Sequence, residues 1–231
     1  MWLTYGYFEY YLFMLPALAL VLLAQVMVKS RYKTFSTVQT VQRVTGREVA
    51  EKILAQSGIT DVRVASVAGK MTDHYHPSKK TIFLSEGVYA STSIAAIGIA
   101  AHEAGHAVQH ATGYVPVHIR TAMVPVCNIG SMIGLPLAMI GALTQAFQLV
   151  NIGLLLFAAV TVFQLVTLPV EFNASRRALA FIKSSGMFFE NEYSGAKKVL
   201  TAAAMTYVAA LAQSVIQLLY FVLRFTGSRR D

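Results

Sequence analysis

His102-Glu103-Ala104-Gly105-His106 sets two imidazoles four residues apart with a glutamate between them, an H-E-x-x-H pattern. On an α-helix, positions i and i+4 lie on one face a single turn apart. Both rings can then reach one ion at about 2.0–2.1 Å. Glu103 projects beside that face, where it can take a proton from water at the metal. The ion suited to such a site is Zn2+, which lowers the pKa of its water toward about 7 and polarises a carbonyl. The competing reading is a polar helix patch that matches by chance. Against it, the flanking Ile97, Ile99, Ala100, Ala101, Ala107 and Val108 are apolar. Two histidines and a glutamate in such a helix are costly to bury without partners. The motif reads as a zinc site with Glu103 as general base.

A third ligand must come from elsewhere. His110 follows His106 by four residues, but a straight helix puts it about 12 Å along the axis from His102, at 1.5 Å per residue. One ion cannot bridge all three. His110 therefore reads as a residue that supports the ligands or the fold. Gly113 also follows it, whereas the metzincin pattern needs its glycine before the third histidine.

The elements that must carry these residues are partly legible. Ser91, Thr92 and Ser93 offer N-caps for a helix running through Ala101 toward Thr112, and Gly113 ends it. Thr45-Gly46-Arg47-Glu48 is a capping-box pattern ahead of Val49, Ile53 and Leu54, with Gly58 where a C′ glycine belongs. Val62-Arg63-Val64 and Thr81-Ile82-Phe83-Leu84 read as strands, and the residues between them as turns or an irregular edge.

Composition supplies the setting. The chain has 231 residues, 55% hydrophobic and only 13% charged, where a soluble domain carries about 25% charge. Its mean hydropathy is +0.54. The formal charge of +8 does not imply nucleic acid. The basic residues flank long apolar runs, as expected for anionic lipid headgroups, and no aromatic-basic RNA-binding signature accompanies them. Cys127 is the sole cysteine, so no intramolecular disulfide forms, and it reads as a small buried hydrophobe. The N-terminus lacks a basic region and cleavage site, so its apolar run reads as a retained anchor, with the aromatics of the first eleven residues as an interfacial belt.

Uncharged runs at 10–28, 121–170 and 199–223 mark the membrane. A span takes about 20 residues, so the middle run holds two, joined by a turn near 145–151, and about four spans are expected. The predicted fold is a mostly α-helical membrane protein with about four transmembrane helices and a small α+β domain. Its segments are an anchor (1–28), a zinc-peptidase domain (29–120), two transmembrane helices (121–170), a third-ligand helix and loop (171–198), and a last transmembrane helix with its tail (199–231). Lys and Arg after the first span and between the third and fourth put 29–120 and 171–198 together in the cytoplasm. Arg224, Arg229 and Arg230 run against that pattern.

Glu171 then becomes the better third ligand. It ends the long uncharged run, Pro169 is expected to start a new helical turn there, and the topology returns it to the side of His102. The alternative is an interfacial carboxylate paired with Arg176 or Arg177. Glu190 and Glu192 are rivals within what reads as a loop.

The chain resembles the YugP-type membrane zinc metallopeptidases of bacteria, the neutral zinc metallopeptidase group, over nearly its whole length. The resemblance rests on Thr72-Asp73-His74-Tyr75, the block around His102–His106, Tyr114-Val115-Pro116 with Arg120, and Val124-Pro125-Val126. It also includes 164–178 and 195–200. It implies gluzincin chemistry, with His102, His106 and Glu171 holding zinc and Glu103 as base. It also implies a multi-pass protein of the bacterial plasma membrane. A more distant likeness is to membrane gluzincins of the HtpX and prenyl-protease kind, where an aspartate follows the ligand glutamate by four residues. Ser175 stands there instead, so Asn173 or Ser175 is expected to hydrogen-bond the ligands.

Asp73-His74-Tyr75-His76-Pro77 precedes the second strand. In gluzincin folds an edge strand before the H-E-x-x-H helix pairs with substrate backbone, and Tyr75 or His74 is then a candidate donor to the oxyanion. A polar turn packed under Pro77 accounts for the stretch equally well. Arg120, Arg176 and Arg177 read as headgroup or ion-pair residues. The expected partners are membrane lipid, a peptide or membrane-protein substrate, and a membrane partner protein. Two rival functions fit the sequence less well. An intramembrane site-2-type protease needs a clean span around the motif and an Asp-Gly pair, whereas Asp73, Lys79, Lys80 and Glu86 crowd the approach. A non-catalytic assembly protein would have little use for an intact base.

Overall fold

The computed structural model describes residues 2–227, with side chains over 8–224. Trp2, Tyr5 and Tyr7 of the expected aromatic belt, and Arg229 and Arg230 of the tail, thus have side chains outside the described residues. The elements run α1 (Trp2–Ser36), α2 (Gly46–Gln56), β1 (Arg63–Val67), β2 (His74–His76), β3 (Thr81–Ser85), α3 (Glu86–Tyr89), α4 (Ile94–Ala111), α5 (Val115–Leu143), α6 (Phe147–Ser184) and α7 (Glu190–Gly227). Among the described residues, α1, α5, α6 and α7 are the helices long and apolar enough to cross a membrane. The protein is a mostly helical membrane protein with a small α+β part.

The chain divides into two compact units. The first comprises 1–25, 119–168 and 206–231. Within it, α5 and α6 approach closely through small residues. A Cβ at Gly130 would stand 2.8 Å from the Leu156 carbonyl, and one at Gly153 would stand 2.5 Å from the Ala138 nitrogen. Helices in lipid gain contact in this way, since apolar side chains have no water to escape. Tyr10 Oη accepts a hydrogen bond from Gln217 Nε2, and its ring lies against Tyr220 and Phe221.

The second unit, 26–118 with 169–205, carries the motif. Its sheet has the order β1-β3-β2, with β1 parallel and β2 antiparallel to the central β3. The crossover from β1 runs through β2 itself, a three-residue strand too short to show a period in the sequence. Ile82 and Leu84 of β3, Val49 and Ile53 of α2, and Ile97, Ala100, Ala101 and Ala104 of α4 form one buried core. Local signals set the helix ends. Thr45 and Glu48 close the reciprocal capping box of α2. Ser93 Oγ accepts from Ala96 N at the start of α4, and Gly113 ends it at φ +64°.

Three boundaries differ from the sequence expectation. α1 runs on to Ser36, because Lys29, Arg31 and Lys33 end an apolar run without ending a helix. The α5–α6 turn falls at 144–146, ahead of the expected 145–151, with Gln145 at φ +58°. Pro169 starts no new turn and lies inside the continuous α6. An internal proline is tolerated where neighbours compensate. Tyr114 Oη donates to the Pro169 carbonyl and Gln109 Nε2 to that of Val170, holding this turn from outside.

Candidate metal centre

α4 and the segment of α6 after Pro169 meet backbone to backbone. A Cβ at Gly105 would stand 2.8 Å from the Ala174 carbonyl oxygen, so the second variable position of the motif has room only for hydrogen. That contact brings Glu171, one turn before Ala174, up to the two histidines.

Glu171 Oε2 lies 3.2 Å from His102 Nε2 and 3.6 Å from His106 Nε2. The imidazoles are 4.7 Å apart and nearly perpendicular, at 85°. One ligand atom from each residue falls within 4.8 Å of the others. The donor set fits zinc, which favours imidazole nitrogen and carboxylate oxygen. A tetrahedron with ligands at 2.0–2.1 Å has edges of about 3.3 Å, close to both distances. Glu171 is 2% exposed and His106 9%. Burial by itself would lower the His106 pKa. Hydrogen bonding with Glu171 and the charges of Glu103 and Glu171 outweigh it and raise the pKa.

The hydrogen bonds behind His106 fix which nitrogen is presented. Arg177 Nε, a donor only, gives to Asn173 Oδ1, and Gln109 Nε2 donates to that oxygen and to the Val170 carbonyl. Gln109 Oε1 is thereby turned to His106 Nδ1 at 3.0 Å. An acceptor there requires the proton on Nδ1, which leaves the Nε2 lone pair aimed into the cluster. Ser175 Oγ stands 3.1 Å from His102 Nδ1 in the matching position. Asn173 and Ser175, expected from the sequence to support the ligands, both lie behind the histidines. Sequence spacing does not single out Gln109, whose one signal is a polar residue three positions after His106 on an apolar helix.

Glu103 is buried and its Oε2 accepts from the backbone N–H of Tyr75 on the edge strand β2, at 3.0 Å. His110 stands farther along α4 with its ring 5.5 Å from both Tyr75 and His118, apart from the cluster. His74 lies on the opposite face of β2 from Tyr75, its ring stacked on Phe83 and its Nδ1 2.8 Å from the Thr72 carbonyl. The two oxyanion candidates therefore part company, and only Tyr75 faces α4. Glu192 is no rival for the cluster. It lies in the first turn of α7 and accepts from the backbone nitrogens of Val41 and Phe189, capping the helix.

Residues 10–226 match a family described as "Putative neutral zinc metallopeptidase". The chain belongs to that family. It is 44% identical over 217 residues to "Putative membrane protease YugP" of Bacillus subtilis (strain 168), covering 94% of this chain and 96% of that protein. No solved structure matches. In this zinc metallopeptidase family member, the side chains suited to a metal converge inside one compact unit.

Proposed function

We propose that the protein is a membrane-embedded, zinc-dependent metallopeptidase of the gluzincin kind. It would cleave peptide bonds of membrane or membrane-proximal substrates. The observation that carries this reading is the convergence of His102 Nε2, His106 Nε2 and a Glu171 carboxylate oxygen beside the buried Glu103. His102, His106 and Glu171 hold the metal. Zinc supplies Lewis acidity toward water and the scissile carbonyl when bound.

The chain's own groups supply the rest. Glu103 has Oε2 tied to Tyr75 N, so Oε1 is the oxygen that takes the proton of the attacking water and passes it to the leaving amine. The same bond fixes the base against the edge strand, along which an extended substrate can lie. Burial, and then the charge of Asp61, push the Tyr75 phenol up, so it remains a protonated donor for the oxyanion. His74 faces away and has no such part. Gln109 and Ser175 orient the two imidazoles.

Purified protein is expected to carry about one zinc per chain, lost in a His102→Ala, His106→Ala double variant. Elemental analysis finding full zinc in that variant would refute the site. The Lys/Arg asymmetry supports a cytoplasmic location for this unit. Single cysteines introduced near Lys79 or Lys183 should then escape an impermeant thiol reagent applied to whole cells. Ready labelling of both would move the site outside without altering its chemistry.

A further inference from the structure

We propose that a groove between α6 and α7 binds one anionic phospholipid of the surrounding membrane. The groove has a volume of about 460 Å³ and lies wholly within the second unit. Its floor is closed by the buried Ser175, Leu200 and Ala204. Its charged lining residues are Arg176 and Lys183, and no carboxylate lines it. Neither cation forms an ion pair with a described residue.

Lys183 stands at one end of the groove and Phe172 at the other, with Arg176 one turn in from Phe172. α6 and α7 run in opposite directions here, so Phe172 and Ala204 share one end and Lys183 and Tyr193 the other, with the Lys183 ammonium 5.8 Å from the Tyr193 ring. Phe172 directly follows the uncharged run 121–170 in the chain and Ala204 lies within the run 199–223, so theirs is the end nearer the membrane. The Lys183 end points toward water, and the Arg176 side chain reaches along the groove toward it. Arg176 and Lys183 are two helical turns apart, about 10 Å along α6, and both side chains are long enough to meet at one phosphate. An amphiphile with an acyl chain below and a phosphate above matches this order.

A scissile peptide does not match it. Ser175 Oγ touches His102 at Nδ1, while Nε2 faces Glu171 and the metal cluster. The groove thus opens behind the ligand, away from the base Glu103 and strand β2. Its occupancy does not depend on the peptidase reading, because none of His102, His106, Glu171 and Glu103 lines it.

The test uses the full chain in neutral detergent, with lipid retention read by native mass spectrometry. Phosphatidylglycerol should be retained in preference to phosphatidylcholine. An Arg176→Gln, Lys183→Gln double variant should bind it on the order of 30-fold more weakly. Thr201→Trp, at an exposed position on the groove wall, should displace it by filling the space. A Lys29→Gln, Lys33→Gln variant should retain it, and millimolar inorganic phosphate should not compete. Unchanged zinc content and melting temperature would show that the variants are folded. The proposal fails if the Arg176/Lys183 variant keeps its lipid, if phosphatidylcholine binds equally, or if the Lys29/Lys33 variant loses as much. Displacement by phosphate would make it a simple anion site and sink the proposal. So would Thr201→Trp leaving the lipid bound while changing the oligomeric state, which would mark a face for a second copy.

Discussion

Glu103→Gln is expected to leave zinc bound and to lower peptide hydrolysis by about 10²–10⁴-fold, the range for loss of a general base. The substitution keeps the size of the side chain. Its amide oxygen can still accept from Tyr75 N, where Glu103 Oε2 accepts at 3.0 Å, so the link between α4 and β2 survives. What disappears is the second oxygen's capacity to hold a proton. Because Glu103 is not among the three residues whose ligand atoms converge, metal content should match wild type. The measurement is zinc per chain alongside hydrolysis of a membrane-proximal peptide, with wild type in parallel. Full activity in this variant would remove the peptidase reading and favour an assembly role.

Much of this arrangement could be read from the chain because local rules determine it. The capping box at Thr45 and Glu48, the Ser93 cap and the left-handed Gly113 each depend on residues within one turn. The spacing of His102 and His106 follows from helix geometry alone. What could not be read depends on contacts between distant segments. β2 is three residues long and owes its existence to pairing with β3, so no alternation marks it. Pro169 breaks a local rule, and the side chains of Tyr114 and Gln109 that hold the turn come from more than fifty residues away. Gln109 itself is an ordinary polar residue until Val170 and Asn173 are seen beside it. Glu192 reads as a loop carboxylate in the sequence because its two backbone donors, Val41 and Phe189, are invisible to helical spacing. Glu171 follows from the topology, which returns it to the side of the motif, but its approach to the histidines needs the Gly105–Ala174 contact.

That approach makes Glu171→Gln the variant with the opposite signature. Glu171 is almost fully buried and faces both Nε2 atoms, at 3.2 and 3.6 Å. Among the three clustered residues it is the one anionic group, since a histidine that binds metal is neutral. An amide oxygen is a poorer ligand for Zn2+ than a carboxylate, and its NH2 group would be a donor set against the imidazole lone pairs. Loss of a partner that merely orients a ligand costs about 10–100-fold in metal affinity, so loss of the ligand's charge should exceed that range. Hydrolysis should fall in step with zinc content, and excess zinc should restore part of it, which it cannot do for Glu103→Gln. Competition with a chelator of known affinity gives the binding constant. Melting temperatures of the metal-free proteins check that α6 still docks on α4. If Glu171→Gln holds zinc as tightly as wild type and turns over normally, the metal is not on this carboxylate. The convergence of Oε2 with the two histidines would then serve folding alone.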